Sequence, residues 1–221
     1  LYQTARCVDI YKALEDISRE RKLTPEERAE MKLYNKLADS LTPLAKGMNS
    51  EYCNQNAYDA LQIHGGSGFM MDYPIQRIAR DARITSIYEG TTQLQVVAAI
   101  RFVTNGSYLA QLRDFEQQEV SEAMRPLQAR AKVIADRLEA AVERVKEVGS
   151  QEFQDLCARH LVEIAADGIM LHLLIYNASK APELFEASAQ VYARFVDAEV
   201  AKHHRFIMDL QPEDLDFYRK A

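Results

Sequence analysis

Residues 61–95 read LQIHGGSGFMMDYPIQRIARDARITSIYEGTTQLQ and combine a Gly-Gly-x-Gly turn, a basic helical run and an isolated carboxylate, Glu89. The three glycines, Gly65, Gly66 and Gly68, come directly after an apolar, helix-like run. Glycine adopts left-handed backbone and can end a helix there, and without a Cβ it lets a backbone approach a flat or phosphorylated ligand. A plain helix stop explains one glycine well but three in four residues poorly. The motif is not a dinucleotide-binding fingerprint, because no strand precedes it.

A new helix is predicted to begin at Pro74, since proline suits the first turn and Asp72 before it can accept hydrogen bonds from free amides. Apolar residues after Pro74 follow a helical stripe. The charged residues of this segment occupy its other faces: Arg77, Arg80, Asp81 and Arg83. A run of this kind forms structural ion pairs more often than an anion site, so we interpret it as structural.

The predicted helix gives way near Ser86, and residues 87–91 cross to the next helix. A carboxylate at such a break, here Glu89, can project into a cavity where loss of water suits it to act as a general base. Thr91 or Thr92 can cap the next helix, whose first amides then point at the same cavity. The competing interpretation is a solvated loop glutamate, which is the simpler one while these residues are taken alone.

Four blocks in this stretch resemble the C-terminal helical domain of acyl-CoA dehydrogenases. They are Gln62-x-x-Gly65-Gly66-x-Gly68-Phe69, Tyr73-Pro74, Arg80-Asp81-Ala82-Arg83 and Ile87-Tyr88-Glu89-Gly90-Thr91-x-Gln93. Their order and spacing all match, which is far more specific than any single block. The resemblance is strong over about residues 1–104 and covers roughly the last third of the family's catalytic unit. We therefore expect the chain to be a C-terminal fragment of a longer protein.

The resemblance implies a flavin-dependent enzyme that removes hydrogen from the α and β carbons of an acyl-CoA thioester, with Glu89 as the base. The backbone amide of Glu89 would help polarise the thioester carbonyl. Gly90 would leave room for the substrate, and Tyr88 would line the acyl cavity. The implied FAD contacts are Gln62, Ile63, His64, Gly65 and Gly66, which reach the cofactor of a neighbouring subunit, and Thr91, Thr92 and Gln93. The implied active unit is a homodimer or homotetramer, and the expected electron acceptor is electron-transfer flavoprotein.

The composition, 48% apolar and 27% charged over 221 residues, is ordinary for a soluble globular protein. No apolar run approaches the ~20 residues that span a bilayer, and no signal-peptide pattern opens the chain. Cys7, Cys53 and Cys157 lie far apart in helix-like runs, so we expect reduced core thiols and no metal site. The expected location is the cytoplasm of a bacterium, or the mitochondrial matrix of a eukaryote, with no membrane partner.

Apolar periodicity predicts an all-α fold, an antiparallel helical bundle followed by a roughly three-helix extension. The predicted helices of the bundle cover residues 1–21, 25–45, 50–63, 74–86 and 91–104. Glu51 would then be a solvated acid in a first helical turn. The turn at Asn105-Gly106-Ser107 predicts the boundary between a first domain, residues 1–105, and the extension, residues 106–221.

In the extension, apolar residues recur by four and three from Val120 to Val148, which predicts a long helix burying one seam. Pro126 would kink or start that helix. Two further helices are expected over about residues 151–179 and 182–210. We interpret the extension as a support for dimerisation rather than a substrate gate.

Charge separates the two parts, since residues 1–105 hold 13 Lys+Arg and 13 Asp+Glu while residues 106–221 hold 14 and 20. A family relative that binds DNA through its extension would need a basic face, so nucleic acid is not an expected partner. An acyl-CoA oxidase-type flavoenzyme would use the same base and stays open. The isolated chain is predicted to be inactive, because the glycine turn and the Glu89 loop supply only part of the cofactor's surroundings.

Overall fold

The computed structural model describes residues 1–220, and within them every regular element is a helix, which confirms the all-α prediction. The helices are α1 Tyr2–Glu20, α2 Pro25–His64, α3 Gly66–Phe69, α4 Ile75–Thr85, α5 Thr92–Thr104, α6 Ser107–Glu116, α7 Arg125–Val148, α8 Gln151–Lys180, α9 Pro182–Asp209 and α10 Leu215–Lys220. The chain divides into two compact units, Leu1–Ala99 and the residues from Ile100 onward. That division falls inside α5, so a domain boundary after residue 105 stays a prediction.

Helix α2 begins at Pro25, as predicted, behind a reciprocal cap. The Thr24 hydroxyl accepts a hydrogen bond from the Glu27 amide, and the Glu27 carboxylate accepts one from the Thr24 amide at 2.9 Å. These bonds satisfy amides that have no partner inside the helix. A short turn joins α1 to α2, and the two helices pack as an antiparallel pair over the buried side chains of Cys7 and Leu14.

The prediction of two helices over residues 25–63 is wrong, because α2 runs unbroken through Pro43. A proline inside a helix costs about 3 kcal/mol. Burial of each large apolar side chain contributes roughly 1.5–3 kcal/mol, and Leu41, Leu44 and Met48 are buried around the proline. Packing of this face against the neighbouring helices α1 and α4 therefore outweighs the local break.

Helix α4 begins at Ile75 rather than at Pro74, and Asp72 does not cap it. Pro74 is the N-cap, and its carbonyl oxygen accepts hydrogen bonds from the amides of Arg77 and Ile78. The helix packs on α2, with α3 beside both. Only part of the predicted apolar stripe lies inside the unit, because Ile75 is buried whereas Ile78 is exposed.

The second unit is built on three long helices, α7, α8 and α9, that pack against one another as predicted for the extension. The predicted seam of α7 is confirmed from Leu127 to Val145, where the stripe is buried. Pro126 lies in the first turn and starts the helix instead of kinking it. Gly149 ends α7 with φ 66°, and the Ser150 hydroxyl caps α8. Helix α6, which was not predicted, packs on α7 and α8.

Helix α8 corrects the expectation about bilayer-length apolar runs. Its most apolar 18-residue window has a mean hydropathy of 1.4, which is enough, by length and composition alone, to cross a membrane. Of that window, 67% is buried inside the structure, where α8 packs against α7 and α9. The core helix of a globular unit has the same properties, so α8 is weak evidence for a membrane span.

Candidate functional site

The glycine turn after α2 divides its three glycines between two tasks. Gly65 ends the helix with φ 61° and ψ −149°, a conformation that side-chain-bearing residues rarely adopt. Gly68 is buried, and a Cβ there would lie 2.6 Å from the Cβ of His64 and 2.9 Å from the carbonyl oxygen of Leu61. Gly66 is exposed, and a Cβ there would meet nothing within 4 Å. Gly65 and Gly68 thus serve the turn itself, while the backbone at Gly66 is open to a ligand.

The residues around this turn form an exposed and partly apolar surface. Gln62, Ile63 and His64, three of the predicted FAD contacts, are exposed. Ile63 is 85% exposed, and beyond the turn Phe69 and Met71 are 78% and 87% exposed. Large apolar side chains exposed this close together in sequence favour an interaction surface. We call these three residues the apolar edge.

The charged residues of α4 do not pair with one another. Within residues 1–220 no ion pair involves Arg77, Arg80, Asp81 or Arg83, so the prediction of structural ion pairs is wrong. Arg83 instead donates a hydrogen bond from Nη1 to the Ser86 hydroxyl at 2.5 Å. Ile75 and Ala82 are buried on the inner face of α4, whereas the four charged side chains are exposed.

The turn between α4 and α5 carries Glu89 in a strained conformation. Glu89 has φ 51°, the one positive φ among non-glycine residues in the described part of the chain, and Gly90 follows with φ 91°. The left-handed conformation costs an L-residue roughly 1–2 kcal/mol. The backbone N–H of Thr92 closes the turn on the Ser86 carbonyl oxygen at 3.2 Å. Contacts to the turn must therefore hold Glu89 in place.

Lys46, which no sequence motif indicated, supplies the main contact. Its Nζ donates hydrogen bonds to the carbonyl oxygens of Thr85 and Gly90, both at 2.7 Å. Gln95 adds a longer bond from Nε2 to the Gly90 carbonyl oxygen at 3.3 Å. The signal that could have found Lys46 is the continuity of α2, since a helix that ends near residue 45 leaves Lys46 in a loop.

Tyr88 and Glu89 line a groove of about 460 Å³ in the first unit. Its other lining residues are Leu1, Thr4, Thr42, Ala45, Lys46, Asn49, Ser50, Cys53 and Thr85. Glu89 is exposed, so this chain by itself does not remove water from around the Glu89 carboxylate as predicted. The helices of this chain leave the groove open.

Cys53 is exposed, which corrects its assignment as a core thiol, whereas Cys7 and Cys157 are buried. All three thiols are free.

The start of α5 is capped by Thr91, whose hydroxyl accepts a hydrogen bond from the Leu94 amide at 3.3 Å. Of the two predicted caps, Thr91 and Thr92, the structure thus uses Thr91. Thr92 is buried, and its hydroxyl donates to Oε1 of Glu51 at 2.5 Å. Glu51 lies in the middle of α2, so the prediction of a solvated first-turn acid is wrong. This pair joins α5 to α2 beneath the turn.

The predicted site residues fall into two places. Tyr88 and Glu89 line the groove, and Gly90 lies in the same turn. The predicted cofactor contacts, residues 62–66 and 91–93, do not line it. Gln93 is exposed at the first turn of α5, and residues 62–66 surround the glycine turn. Their assignment to FAD stays a prediction.

The second unit contains a partly buried polar network that no sequence motif indicated. The Nδ1 atoms of His160 and His203 lie 2.7 Å apart, and Nε2 of His203 lies 2.6 Å from a carboxylate oxygen of Glu163. Burial alone would raise the pKa of Glu163, but hydrogen bonds from His203 and Arg159 outweigh it and lower the pKa to about 2. Burial, followed by the charge of His203, lowers the pKa of His160 to about 4. The network ties α8 to α9.

His172 is the other buried histidine of the second unit. Its ring stacks on Phe115 at a centroid distance of 5.7 Å, and its Nε2 has no hydrogen-bond partner within residues 1–220. Burial lowers the pKa of His172 to about 4, so the ring is neutral at pH 7. No group of three His, Cys, Asp or Glu side chains in the described residues is arranged to hold a metal ion.

Two family models match consecutive parts of the chain. The model described as "Acyl-CoA dehydrogenase, C-terminal domain" matches residues 18–103. The model described as "Acyl-CoA dehydrogenase C terminal" matches residues 104–215, which is half of the chain.

Individual relatives match shorter stretches. The broad-specificity linear acyl-CoA dehydrogenase FadE5 of Mycobacterium tuberculosis is 48% identical over 64 residues, which are 29% of this chain and 10% of FadE5. The caffeyl-CoA reductase-Etf complex subunit CarC of Acetobacterium woodii is 40% identical over 77 residues, covering 31% of this chain and 20% of CarC. This chain therefore spans at most a fifth of the length of these two relatives.

A solved structure matches nearly all of the chain. The structure of an acyl-CoA dehydrogenase complexed with FAD from Bacillus anthracis has a TM-score of 0.67 over 97% of this chain and 40% of that chain. The two sequences are 18% identical, so this likeness shows the fold alone.

Proposed function

This chain belongs to the acyl-CoA dehydrogenase family, and we propose that it carries the catalytic base of an FAD-dependent enzyme that dehydrogenates an acyl-CoA thioester between its α and β carbons. The observation that carries this proposal is Glu89, a carboxylate held in a left-handed conformation at the edge of a groove. Strain of this kind persists where the surroundings hold a group for a task. FadE5, a relative of this chain, is named for linear acyl-CoA substrates.

In this proposal the Glu89 carboxylate takes the proton from the α-carbon of the thioester. A new O–H bond forms at the carboxylate as the C–H bond breaks, and the proton stays on Glu89. Within residues 1–220 the backbone N–H of Glu89 donates no hydrogen bond, and in this proposal it would donate one to the thioester carbonyl oxygen. That contact would stabilise the negative charge that develops on the oxygen. Tyr88 would line the acyl chain, since it lines the same groove.

The residues of this chain fit FAD as a cofactor, which when bound supplies the acceptor for the β-hydrogen. The backbone at Gly66 is exposed with open space around it, so a flat or phosphorylated group can approach it. Gln93 is exposed at the first turn of α5 and would hold a second part of the cofactor. The Thr92 hydroxyl donates a hydrogen bond to Glu51, so the contact of Thr92 with FAD would come from its backbone.

Two partners follow from the proposal. Electron-transfer flavoprotein would accept the electrons, and the relative CarC is named as a subunit of a caffeyl-CoA reductase-Etf complex. The enzyme would be a homodimer or homotetramer, because the apolar edge of Ile63, Phe69 and Met71 is exposed beside the glycine turn that would reach a neighbouring subunit's FAD.

The test replaces Glu89 by Gln in the FAD-loaded enzyme and measures anaerobic bleaching of the flavin in stopped flow with saturating acyl-CoA. Glutamine keeps the size of the side chain and removes the base. FAD and acyl-CoA should still bind, and flavin reduction should slow by at least the ~10²–10⁴-fold typical of a lost general base.

The matched control is Glu30→Gln, since Glu30 is an exposed acid of α2 outside the groove. Glu51 is unsuitable because it accepts the Thr92 hydrogen bond. The control should bleach at the wild-type rate. Bleaching of the Glu89→Gln enzyme at the wild-type rate would refute the proposal and place the base outside this chain.

A further inference from the structure

Lys46 joins three parts of the chain that are distant in sequence. It lies in the interior of α2, half-buried, with Gly47 and Met48 after it buried in the unit. Its ammonium group donates to the Thr85 carbonyl oxygen, at the last residue of α4, and to the Gly90 carbonyl oxygen, directly after Glu89. A single cation thus links α2, the end of α4 and the strained turn.

Both carbonyl groups need a partner that their own elements do not supply. The last four carbonyl groups of a helix have no amide partner inside the helix, and Thr85 is the last residue of α4. Gly90 lies in a turn whose positive φ values carry its carbonyl away from the regular helical ladder. The bond from Lys46 is 0.6 Å shorter than the bond from Gln95 to the same Gly90 oxygen. A charged donor at the shorter distance makes the stronger bond.

Lys46 also faces the side chain that precedes the base. Its Nζ lies 5.9 Å from the ring centroid of Tyr88, within the range of a cation–π contact. Lys46, Tyr88 and Glu89 line the same groove. The ammonium group therefore contacts the turn on both sides of Glu89, through Tyr88 before it and Gly90 after it.

We propose that Lys46 is a positioning residue for Glu89, which sets where the carboxylate sits in the groove by holding the turn of residues 85–90 against α2. The proposal rests on the proposed function, since it gives the held carboxylate the task of taking a proton. A base must lie within hydrogen-bond distance of the proton it removes, and a misplacement of 1 Å can cost ~10²-fold in rate. Lys46 does not itself contact the reacting atoms in this account.

A lysine that only stabilises the fold would show a different behaviour, so the test separates the two roles. The variants are Lys46→Met, which keeps the chain length and removes the donor, and Lys46→Arg, which restores a charged donor. Lys36→Met is the matched control, because Lys36 is an exposed lysine of the same helix. Each variant is made in the FAD-loaded enzyme, with and without Glu89→Gln.

The first measurement is flavin reduction in stopped flow together with the affinity for acyl-CoA. We expect Lys46→Met to slow reduction at saturating acyl-CoA by ~10- to 10²-fold, the cost of a misplaced base, with little change in affinity. Lys46→Arg should recover part of the rate, and Lys36→Met should match the wild type. In the Glu89→Gln background Lys46→Met should cause no further loss, because two residues that act as one unit are not additive.

The second measurement is hydrogen exchange of the backbone amides of Ile87, Tyr88 and Thr92, which donate the hydrogen bonds of this turn, in the same enzymes. These amides should exchange faster in Lys46→Met than in the wild type, while exchange in α1 and in α2 away from Lys46 is unchanged. Unchanged amide exchange in Lys46→Met would overturn the positioning role. So would a loss of flavin-reduction rate on Lys46→Met that is as large with Gln at position 89 as with Glu. If the Glu89→Gln enzyme reduces its flavin slowly but the Lys46→Met enzyme reduces it at the wild-type rate, the role of Lys46 is refuted and the proposed function stands. If Glu89→Gln is itself fast, the proposed function fails, and the positioning of a base fails with it.

Discussion

Replacing Gly90 by Ala tests the geometry of the Glu89 turn without touching a charged group. Gly90 has φ 91°, and an added Cβ would lie 2.7 Å from Nε2 of Gln95. The positive φ costs an alanine roughly 1–2 kcal/mol. The Gln95 amide is the end of a flexible side chain, so it can move aside, but it then loses its hydrogen bond to the Gly90 carbonyl oxygen. A hydrogen bond of this kind contributes about 0.5–1.5 kcal/mol.

The two contributions together predict that Gly90→Ala lowers the free energy of unfolding by about 1.5–3.5 kcal/mol. Gly106→Ala is the matched control, since Gly106 has φ 79° and a Cβ there meets nothing within 4 Å. It should show the cost of positive φ alone, roughly 1–2 kcal/mol. Adding Gln95→Ala should remove the steric part of the effect at Gly90, leaving the cost of φ.

The assay is urea unfolding followed by circular dichroism at a helical wavelength, with the same protein concentration for each variant. Equal free energies of unfolding of the Gly90→Ala variant and the wild type, within about 0.5 kcal/mol, would refute the reasoning. The margin is set by how closely the separate costs of two changes add up, which is about 0.5 kcal/mol. A Gly106→Ala variant destabilised more than Gly90→Ala would refute it as well, because Gly106 lacks the contact with Gln95.

Two further predictions concern the chain as a whole. Purified by itself, the 221-residue chain should retain no stoichiometric flavin in an absorbance spectrum, because its groove and glycine turn leave Glu89 and Gly66 exposed; a flavin band at one per chain would contradict this. The pKa of His172 is lowered from 6.5 to about 4, so the neutral ring is favoured by folding and stability is lost as pH falls from about 6.5 toward 4. Relative to a His172→Leu variant, the wild type should lose about 2 kcal/mol more between pH 7 and pH 5, and parallel pH profiles of the two proteins would exclude this account.

The sequence alone determined the fold class and the starts of α2, α8 and α9, because these depend on local chemistry. Thr24 and Pro25 start α2 through a cap made within four residues. The spacing of apolar residues along α7 predicted its buried seam, since a helix places residues three and four apart on one face. Within the candidate site, the blocks that resemble a known family identified the turn and its carboxylate.

Only the tertiary structure decided which local signals were overruled. Pro43 is a local break, and α2 continues through it because burial against α1 and α4 contributes more than the break costs. The same continuity places Lys46 against the turn and Glu51 against Thr92, 41 residues apart in sequence. Periodicity describes one element at a time, so it carries no information about a bond between two elements.

The conformation of Glu89 is the clearest case of this division. Its position between Tyr88 and Gly90 can be seen in the sequence, but its positive φ cannot, because an isolated glutamate avoids that region by roughly 1–2 kcal/mol. The carbonyl oxygens of Thr85 and Gly90 come within reach of one ammonium group only when α4 lies against α2. The strained turn is therefore held because packing of the two helices brings Lys46 to it. The order of residues in the sequence does not show that the Lys46 ammonium group lies within hydrogen-bond distance of these two oxygens.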